Sequence, residues 1–115
     1  MFVAEGQQGK GSSTVNVQYK KGVLELCVLA MLHEGDQYGY DVSEYLSRQI
    51  DIADGTVYPI LRKLKTDGLV TTYLSEESGG PPRKYYTLTA LGREEYIRAR
   101  DEWLSFARTV EGMLK

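Results

Sequence analysis

The sequence is poor in the residues that build covalent scaffolds, metal centres and active sites. One cysteine and one histidine in 115 residues exclude a disulfide within the chain and argue against a metal site of the usual ligand types. We interpret Cys27, in an apolar run, as a small buried hydrophobe, and His33 as a surface residue or a charge partner at a helix end. The chain offers no nucleophile with a base and no phosphate-binding glycine loop, so neither an enzyme nor a cofactor is predicted.

Long apolar runs are absent as well. No stretch of about 18 apolar residues could span a bilayer, and the first residues lack the basic-then-apolar pattern of a signal peptide. Together with the scarcity of cysteine, this predicts a cytoplasmic protein without a membrane partner. A length of 115 residues, 42% of them hydrophobic and 26% charged, predicts one globular unit.

Positively charged residues are slightly outnumbered overall, but they are in excess in one segment. The net charge is −2. Residues 1–54 carry four Lys/Arg against eight Asp/Glu, and residues 85–115 carry five against five. Residues 55–84 carry five Lys/Arg against three Asp/Glu. Because local charge decides what a surface attracts, this basic segment is the candidate for contact with DNA.

The segment 54–68 predicts an amphipathic helix with a signal at each end. Asp54 is expected as the N-cap, and Gly68 as the residue that turns left-handed and ends the helix. The buried stripe is expected from apolar residues at helical spacing: Val57, Ile60, Leu61 and Leu64. The opposite side is hydroxylated and cationic, which suits the major groove, although a solvated basic face is the alternative. Pro59, expected about one turn inside the helix, breaks a local rule because it has no N–H.

The elements around this helix predict a winged helix-turn-helix. Residues 1–18, rich in Gly, Ser and Gln, are expected as a disordered tail whose last residues could extend a first helix over 20–34. A second helix over 38–49 is joined to the 54–68 helix by a short turn. After Gly68 the apolar period changes from 3.6 to 2, which predicts a two-stranded wing over 69–74 and 83–88.

Thr89 is predicted to cap a last helix that runs to about Leu114. Its apolar residues recur at intervals of three and four, the a/d pattern of a self-associating helix. This seam consists of Tyr96, Ala99, Trp103, Phe106, Val110 and Met113. A helix packed on its own domain is the alternative, but the seam begins after the domain is complete, so we favour a homodimer. The expected fold is mostly α (α+β), with a tail at 1–18, a winged helix-turn-helix domain at 19–89 and a dimerisation helix at 90–115.

The order of elements and three motifs resemble the PadR-like transcriptional regulators. The motifs are Tyr38-Gly39-Tyr40, then Gly55-Thr56-Val57-Tyr58-Pro59-Ile60-Leu61-Arg62-Lys63-Leu64 with Asp67-Gly68-Leu69-Val70, and finally Arg83-Lys84-Tyr85-Tyr86-Thr87-Leu88-Thr89 with Gly92. The match covers roughly residues 21–114. A single C-terminal helix is similar to the short branch of that family, which implies a homodimeric repressor of an operator near efflux or stress-response genes.

Carried over by position, the resemblance implies a DNA-contact set on the helix and the wing. The set is Thr56, Tyr58, Pro59, Arg62, Lys63, Lys65, Arg83 and Lys84. Arg62 and Lys63 suit guanine edges or phosphates. The hydroxyls of Thr56 and Tyr58 lie near a helix N-terminus, where phosphate is already favoured.

Trp103 is the only tryptophan, and its place on the seam allows two interpretations. It resembles a tryptophan of the short branch that stacks planar effectors between subunits. That resemblance implies an effector site of Trp103, Leu26, Ala99 and Ala107. The alternative is a residue that merely fills the interface.

The sequence therefore predicts a sequence-specific regulator that binds a double-stranded DNA operator. We expect a homodimeric repressor, relieved by a small planar aromatic effector at the dimer interface. The alternative is a winged-helix module that binds other proteins and has no specific affinity for DNA.

Overall fold

The helices and strands follow the apolar periods of the sequence. A computed structural model describes residues 13–53, 55–76 and 79–115. Its helices are α1 (Ser13–Glu34), α2 (Gly39–Gln49), α3 (Val57–Thr66) and α4 (Ala90–Met113), and its strands are β1 (Gln37–Tyr38), β2 (Val70–Ser75) and β3 (Arg83–Leu88). The strands form one antiparallel sheet in the order β1-β3-β2. This confirms the predicted winged helix-turn-helix with a long C-terminal helix.

The first helix is longer than expected on its N-terminal side. It begins at Ser13, so residues 13–18, assigned to the tail, are helical, and the rest of that tail lies outside the described residues. The polar composition of residues 13–19 suggested a tail, but the segment holds no Gly or Pro that would break a helix.

The sheet contains a strand that the sequence analysis missed. Gln37 and Tyr38 form β1 and pair with Tyr86 and Tyr85 of β3. A strand of two residues is too short to show an alternating pattern, and Tyr38 was expected at the start of the second helix. Tyr38 is extended, with φ −68° and ψ 132°, and serves as the N-cap residue of α2.

One apolar core holds the first three helices against the sheet. Four core side chains come from α3 and are the predicted stripe: Val57, Ile60, Leu61 and Leu64. Each is at most 2% exposed. Burying such a side chain stabilises the fold by roughly 1.5–3 kcal/mol. The buried stripe therefore fixes which side of α3 faces outward.

The C-terminal end of α3 follows the prediction. Gly68 has φ 79°, the left-handed conformation that glycine adopts most readily. Its N–H donates to the carbonyl of Lys65 at 3.0 Å, and the N–H of Leu69 donates to the carbonyl of Leu64 at 2.9 Å. These two bonds form a Schellman motif, which stops the helix and satisfies its last carbonyls.

The N-terminal end of α3 differs from the prediction. Asp54, the expected N-cap, lies outside the described residues, and Thr56 is the residue that precedes the first helical residue, Val57. Pro59 is therefore the third residue of the helix and lies in its first turn. An N–H at that position has no helical acceptor, so Pro59 costs no hydrogen bond. The expectation that Pro59 breaks a rule inside the helix is wrong.

Thr89 caps α4 as predicted and also joins α4 to the end of α3. Its Oγ1 accepts from the N–H of Gly92 at 2.9 Å and donates to the carbonyl of Gly68 at 2.8 Å. The N–H of Thr89 donates to the carbonyl of Leu69 at 3.1 Å. Gly92 is buried, and a Cβ there would overlap the carbonyl oxygen of Leu69. The first turn of α4 is thus in direct backbone contact with the residues that follow α3.

Further along, α4 leans on α1. Tyr96 packs against the core, and its ring centroid lies 4.7 Å from that of His33 at the end of α1. Arg100 stacks on Tyr96, with its guanidinium carbon 5.6 Å from the ring centroid. The first residue of the seam thus packs within its own chain, because α4 runs along α1 before it extends beyond the domain.

The residue types suited to metal, redox or membrane chemistry are dispersed. Cys27 forms no disulfide and is only half-buried, and this partial burial raises the pKa of its thiol. Across residues 13–53, 55–76 and 79–115, no group of three His, Cys, Asp or Glu side chains could hold a metal ion. None of the described helices is long and apolar enough to cross a bilayer.

We expect Gly92→Ala to destabilise the protein by at least about 2 kcal/mol, because the added methyl group must displace backbone rather than a flexible side chain. Gly112→Ala, in the same helix with no atom within 4 Å of the added Cβ, is the control. It should be neutral or stabilising by up to about 1 kcal/mol. Urea unfolding followed by circular dichroism measures both, and equal stabilities of the two variants would refute the contact.

Candidate nucleic-acid interface

The outward side of α3 consists of the residues that do not belong to its buried stripe. Tyr58, Pro59, Arg62, Lys63 and Lys65 are all exposed on this helix. The sequence placed them on one basic face. These residues differ in the hydrogen bonds and ion pairs that they form within the domain, and therefore in the donors that they keep for a ligand.

Arg62 is the exposed cation of α3 that keeps its full donor capacity. Within the part of the chain that the structure describes, it forms no hydrogen bond or ion pair. It lines a cleft of about 370 Å³ together with Tyr58 of the same helix and Lys84 of the wing. The cleft is completed by Tyr38, Gly39, Tyr40 and Tyr86. Two cations from separate elements therefore border one cleft that also contains phenol groups.

Two phenols of the cleft, those of Tyr58 and Tyr40, keep their protons, and the proton of Tyr40 is already donated to Glu44. Partial burial raises the pKa of Tyr58, and the neighbouring Tyr38 adds to the shift. The carboxylate of Glu44, which accepts from the Tyr40 hydroxyl at 3.2 Å, raises the pKa of Tyr40. Both phenols therefore keep their protons well above neutral pH. Of these, only Tyr58 was predicted to contact DNA, whereas Tyr38 and Tyr40 were predicted to open the second helix and to carry part of the family resemblance.

Lys63 is held by carboxylates on the other side of α3. Its Nζ lies 3.1 Å from Asp67 Oδ2 and 3.6 Å from Glu25 Oε2 of α1. The hydrogen bond with Asp67, followed by the charge of Glu25, raises the pKa of Lys63. Two carboxylates therefore already offset the positive charge that Lys63 would offer a phosphate. Glu25 lies 38 positions before Lys63, so no local pattern could predict this contact.

Thr56 and Lys65 also have partners inside the domain. The hydroxyl of Thr56 donates to the carbonyl of Ala53 at 2.7 Å, so its only proton is engaged. Lys65 Nζ donates to Thr72 Oγ1 of β2 at 3.2 Å, but an ammonium group has three protons and keeps the others for solvent or a ligand.

The two wing cations point to opposite faces of the sheet, because neighbouring residues of a strand alternate. Lys84 borders the cleft, whereas the guanidinium of Arg83 lies 4.8 Å from the ring centroid of Tyr38. Tyr38 belongs to a row of rings across the three strands, with centroids 6.0 Å from Tyr38 to Tyr85 and 5.8 Å from Tyr85 to Tyr73. The sequence placed Arg83 and Lys84 together, and the structure separates them.

The end of α4 exposes apolar side chains. Trp103 is 39% exposed, Phe106 65% and Met113 74%. Ala99, Ala107 and Val110 are half-buried on the same helix, and Leu26 is half-buried on α1. Such exposed apolar residues at the end of one helix are typical of a surface that contacts another molecule.

Comparison with known proteins agrees with this architecture. A family model described as the transcriptional regulator PadR-like family matches residues 28–98, more than half of the chain. A PadR-like transcriptional regulator from Bacillus cereus has a similar crystal structure, with a TM-score of 0.78 and 33% identity. That match covers 85% of this chain and 97% of the other.

Two further proteins are similar. A Streptococcus transcriptional regulator of known crystal structure has a TM-score of 0.77 and 35% identity, and the match covers 84% of this chain and 96% of that one. The negative transcriptional regulator PadR of Bacillus subtilis is 30% identical over 77 residues. The match to the Bacillus subtilis protein covers 64% of the present chain but only 42% of that protein, so the chain spans less than half of that relative.

Proposed function

Because the chain belongs to the PadR-like family of transcriptional regulators, which are DNA-binding proteins and not enzymes, we propose that it is a homodimeric repressor. Each protomer would insert α3 into the major groove of an operator. The observation that carries this proposal is the cleft where Arg62 of α3 and Lys84 of the wing meet. Two separate elements, α3 and the wing, place cations on one side of the molecule, where both can contact the same DNA duplex. The DNA target implies a location in the cytoplasm.

The internal hydrogen bonds rank the residues of the proposed DNA surface. Arg62 is free to make a bidentate contact with guanine, the commonest specific contact in the major groove. Tyr40 lines the same cleft, but its hydroxyl already donates to Glu44. Lys84 and the phenol of Tyr58 are suited to backbone phosphate. These groups need no rearrangement before they bind, so we expect them to carry most of the affinity.

The remaining members of the set have smaller expected roles. The charge of Lys63 is already offset by two carboxylates, and Thr56 must release the carbonyl of Ala53 before it can donate. Lys65 and Arg83 can approach phosphate without breaking an ion pair. Pro59 is exposed and offers only apolar contact, such as with a thymine methyl group.

Repression and dimerisation are supported by different observations. The similar Bacillus subtilis protein is a negative regulator, which favours a repressor here. The exposed Trp103, Phe106 and Met113 favour self-association through α4. Two copies of α3 would then read half-sites about one DNA turn apart. A module that binds only other proteins would not require the unpaired Arg62 beside Lys84.

We expect Arg62→Ala to weaken operator binding about 5- to 150-fold, since a bidentate arginine contributes about 1–3 kcal/mol of base discrimination. Lys63→Ala is the matched control from the same helix, and its smaller loss should be similar on operator and random duplex. Fluorescence anisotropy at several fixed salt concentrations measures both. An equal loss in the two variants would contradict the ranking, and a wild-type protein with no preference for its own promoter region would contradict the function.

We expect Phe106→Asp to produce monomers with weak DNA affinity, because a carboxylate buried in an apolar interface is strongly destabilising. Arg108→Asp places the same carboxylate on the opposite side of α4 and should leave the dimer intact. Sedimentation velocity distinguishes the two states. A monomeric wild-type protein, or a dimer that tolerates Phe106→Asp, would contradict the proposed role of the seam.

We also propose that a planar aromatic effector stacks on Trp103 at the dimer interface, beside Ala99, Ala107 and Leu26. Trp103 is exposed, and the two alanines one turn away on either side leave room beside its indole ring. An effector bound there would alter α4 and so the separation of the two copies of α3.

A planar aromatic compound should quench the fluorescence of Trp103, which is the only tryptophan, and release the DNA over the same concentration range. An aliphatic compound of similar polarity is the control ligand. Trp103→Ala should bind operator in the absence of effector and fail to respond to it. A panel of planar compounds that neither quench nor release DNA would count against this site.

A further inference from the structure

Thr89 holds the end of α3 and the start of α4 together with three hydrogen bonds. Its hydroxyl donates to the carbonyl of Gly68 at 2.8 Å and accepts from the N–H of Gly92 at 2.9 Å. Its own N–H donates to the carbonyl of Leu69 at 3.1 Å. Gly68 and Leu69 are the residues of the Schellman motif that closes α3. One hydroxyl group therefore links the last turn of one helix to the first turn of the other.

The surrounding backbone leaves this junction little room to adjust. Gly92 contacts the carbonyl of Leu69 so closely that a Cβ would overlap it, and the same Cβ would lie 3.0 Å from Leu88 Cδ2. The carbonyls that Thr89 meets belong to residues whose N–H groups are themselves bound to α3. A change in the angle of α4 is therefore passed to α3 rather than absorbed between them.

The length of α4 amplifies any change at the junction. Its 24 residues span about 36 Å at 1.5 Å per residue. A rotation of about 10° at Thr89 would move the far end by about 6 Å. The far end carries the exposed side chains Phe106 and Met113, on which the proposed dimer depends. The angle at Thr89, together with the packing of Tyr96 on His33 of α1, thus sets how far apart two domains lie when those ends are joined.

We propose that Thr89 is a positioning residue that sets the operator half-site spacing this regulator accepts. It touches no DNA and acts by fixing the angle between α4 and α3. The inference rests on the proposed homodimer with α3 in the major groove. It assigns to the Thr89 hydroxyl a role in specificity beyond capping a helix.

The test uses three variants of the full-length protein. Thr89→Val keeps the shape of the side chain but removes the group that both donates and accepts, whereas Thr89→Ser retains that group. Val42→Ala removes buried methyl groups from α2 and controls for a general loss of stability. Each protein is titrated against duplexes whose two half-sites are moved apart one base pair at a time, and thermal unfolding is recorded in parallel.

The wild-type protein and Thr89→Ser should prefer one spacing at least tenfold over its neighbours. Thr89→Val should bind the best spacing several-fold more weakly and the neighbouring spacings as well as the wild type does, so its profile flattens. Val42→Ala should lower the unfolding temperature and keep the sharp profile. A Thr89→Val profile as sharp as that of the wild type would overturn the inference, and so would a wild-type profile that is already flat.

A failure of the proposed function has a different signature. A wild-type protein that is monomeric, or that binds no duplex above the level of random DNA, would remove the premise and the inference together. Sedimentation and single-spacing titrations of the wild type detect that outcome before any variant is made.

Discussion

The contact between Gly92 and the carbonyl of Leu69 is the constraint on which the arrangement of the molecule depends. Because no side chain separates the two backbones, the end of α3 and the start of α4 behave as one rigid corner. Thr89 closes this corner with its hydroxyl group. The surface proposed to face DNA and the surface proposed to face a second copy are therefore connected by packed backbone, not by a flexible linker. A change in the position of one surface therefore moves the other.

Local electrostatics explain how a chain with a net charge of −2 can present a cationic surface. The carboxylates of Glu25 and Asp67 lie on the side of α3 that faces α1, where they neutralise Lys63. Arg62 and Lys84 lie away from them and border the cleft between α3 and the wing. Because these two carboxylates pair with Lys63, Arg62 and Lys84 are the cations of α3 and the wing that border the cleft.

Most of the fold could be predicted from the sequence because its signals are local. Gly68 and Thr89 end and begin helices through hydrogen bonds to near neighbours, and the stripe from Val57 to Leu64 reflects a single period. The parts that were missed depend on distant partners. The strand at Gln37–Tyr38 exists only because β3 lies beside it, and Glu25 meets Lys63 only once α1 packs on α3. The packing of Tyr96 on His33 likewise requires α4 to lie along α1.

We propose that two copies of α3, held at a fixed separation, read DNA from one face. Hydroxyl-radical footprinting of the wild-type protein on its own promoter region tests this most directly, because it maps protected backbone at single-nucleotide resolution. We predict two protected segments on one face of the duplex, with centres about 10 base pairs or a multiple of that apart. A single short protected segment, or protection that is the same on unrelated duplex, would contradict it.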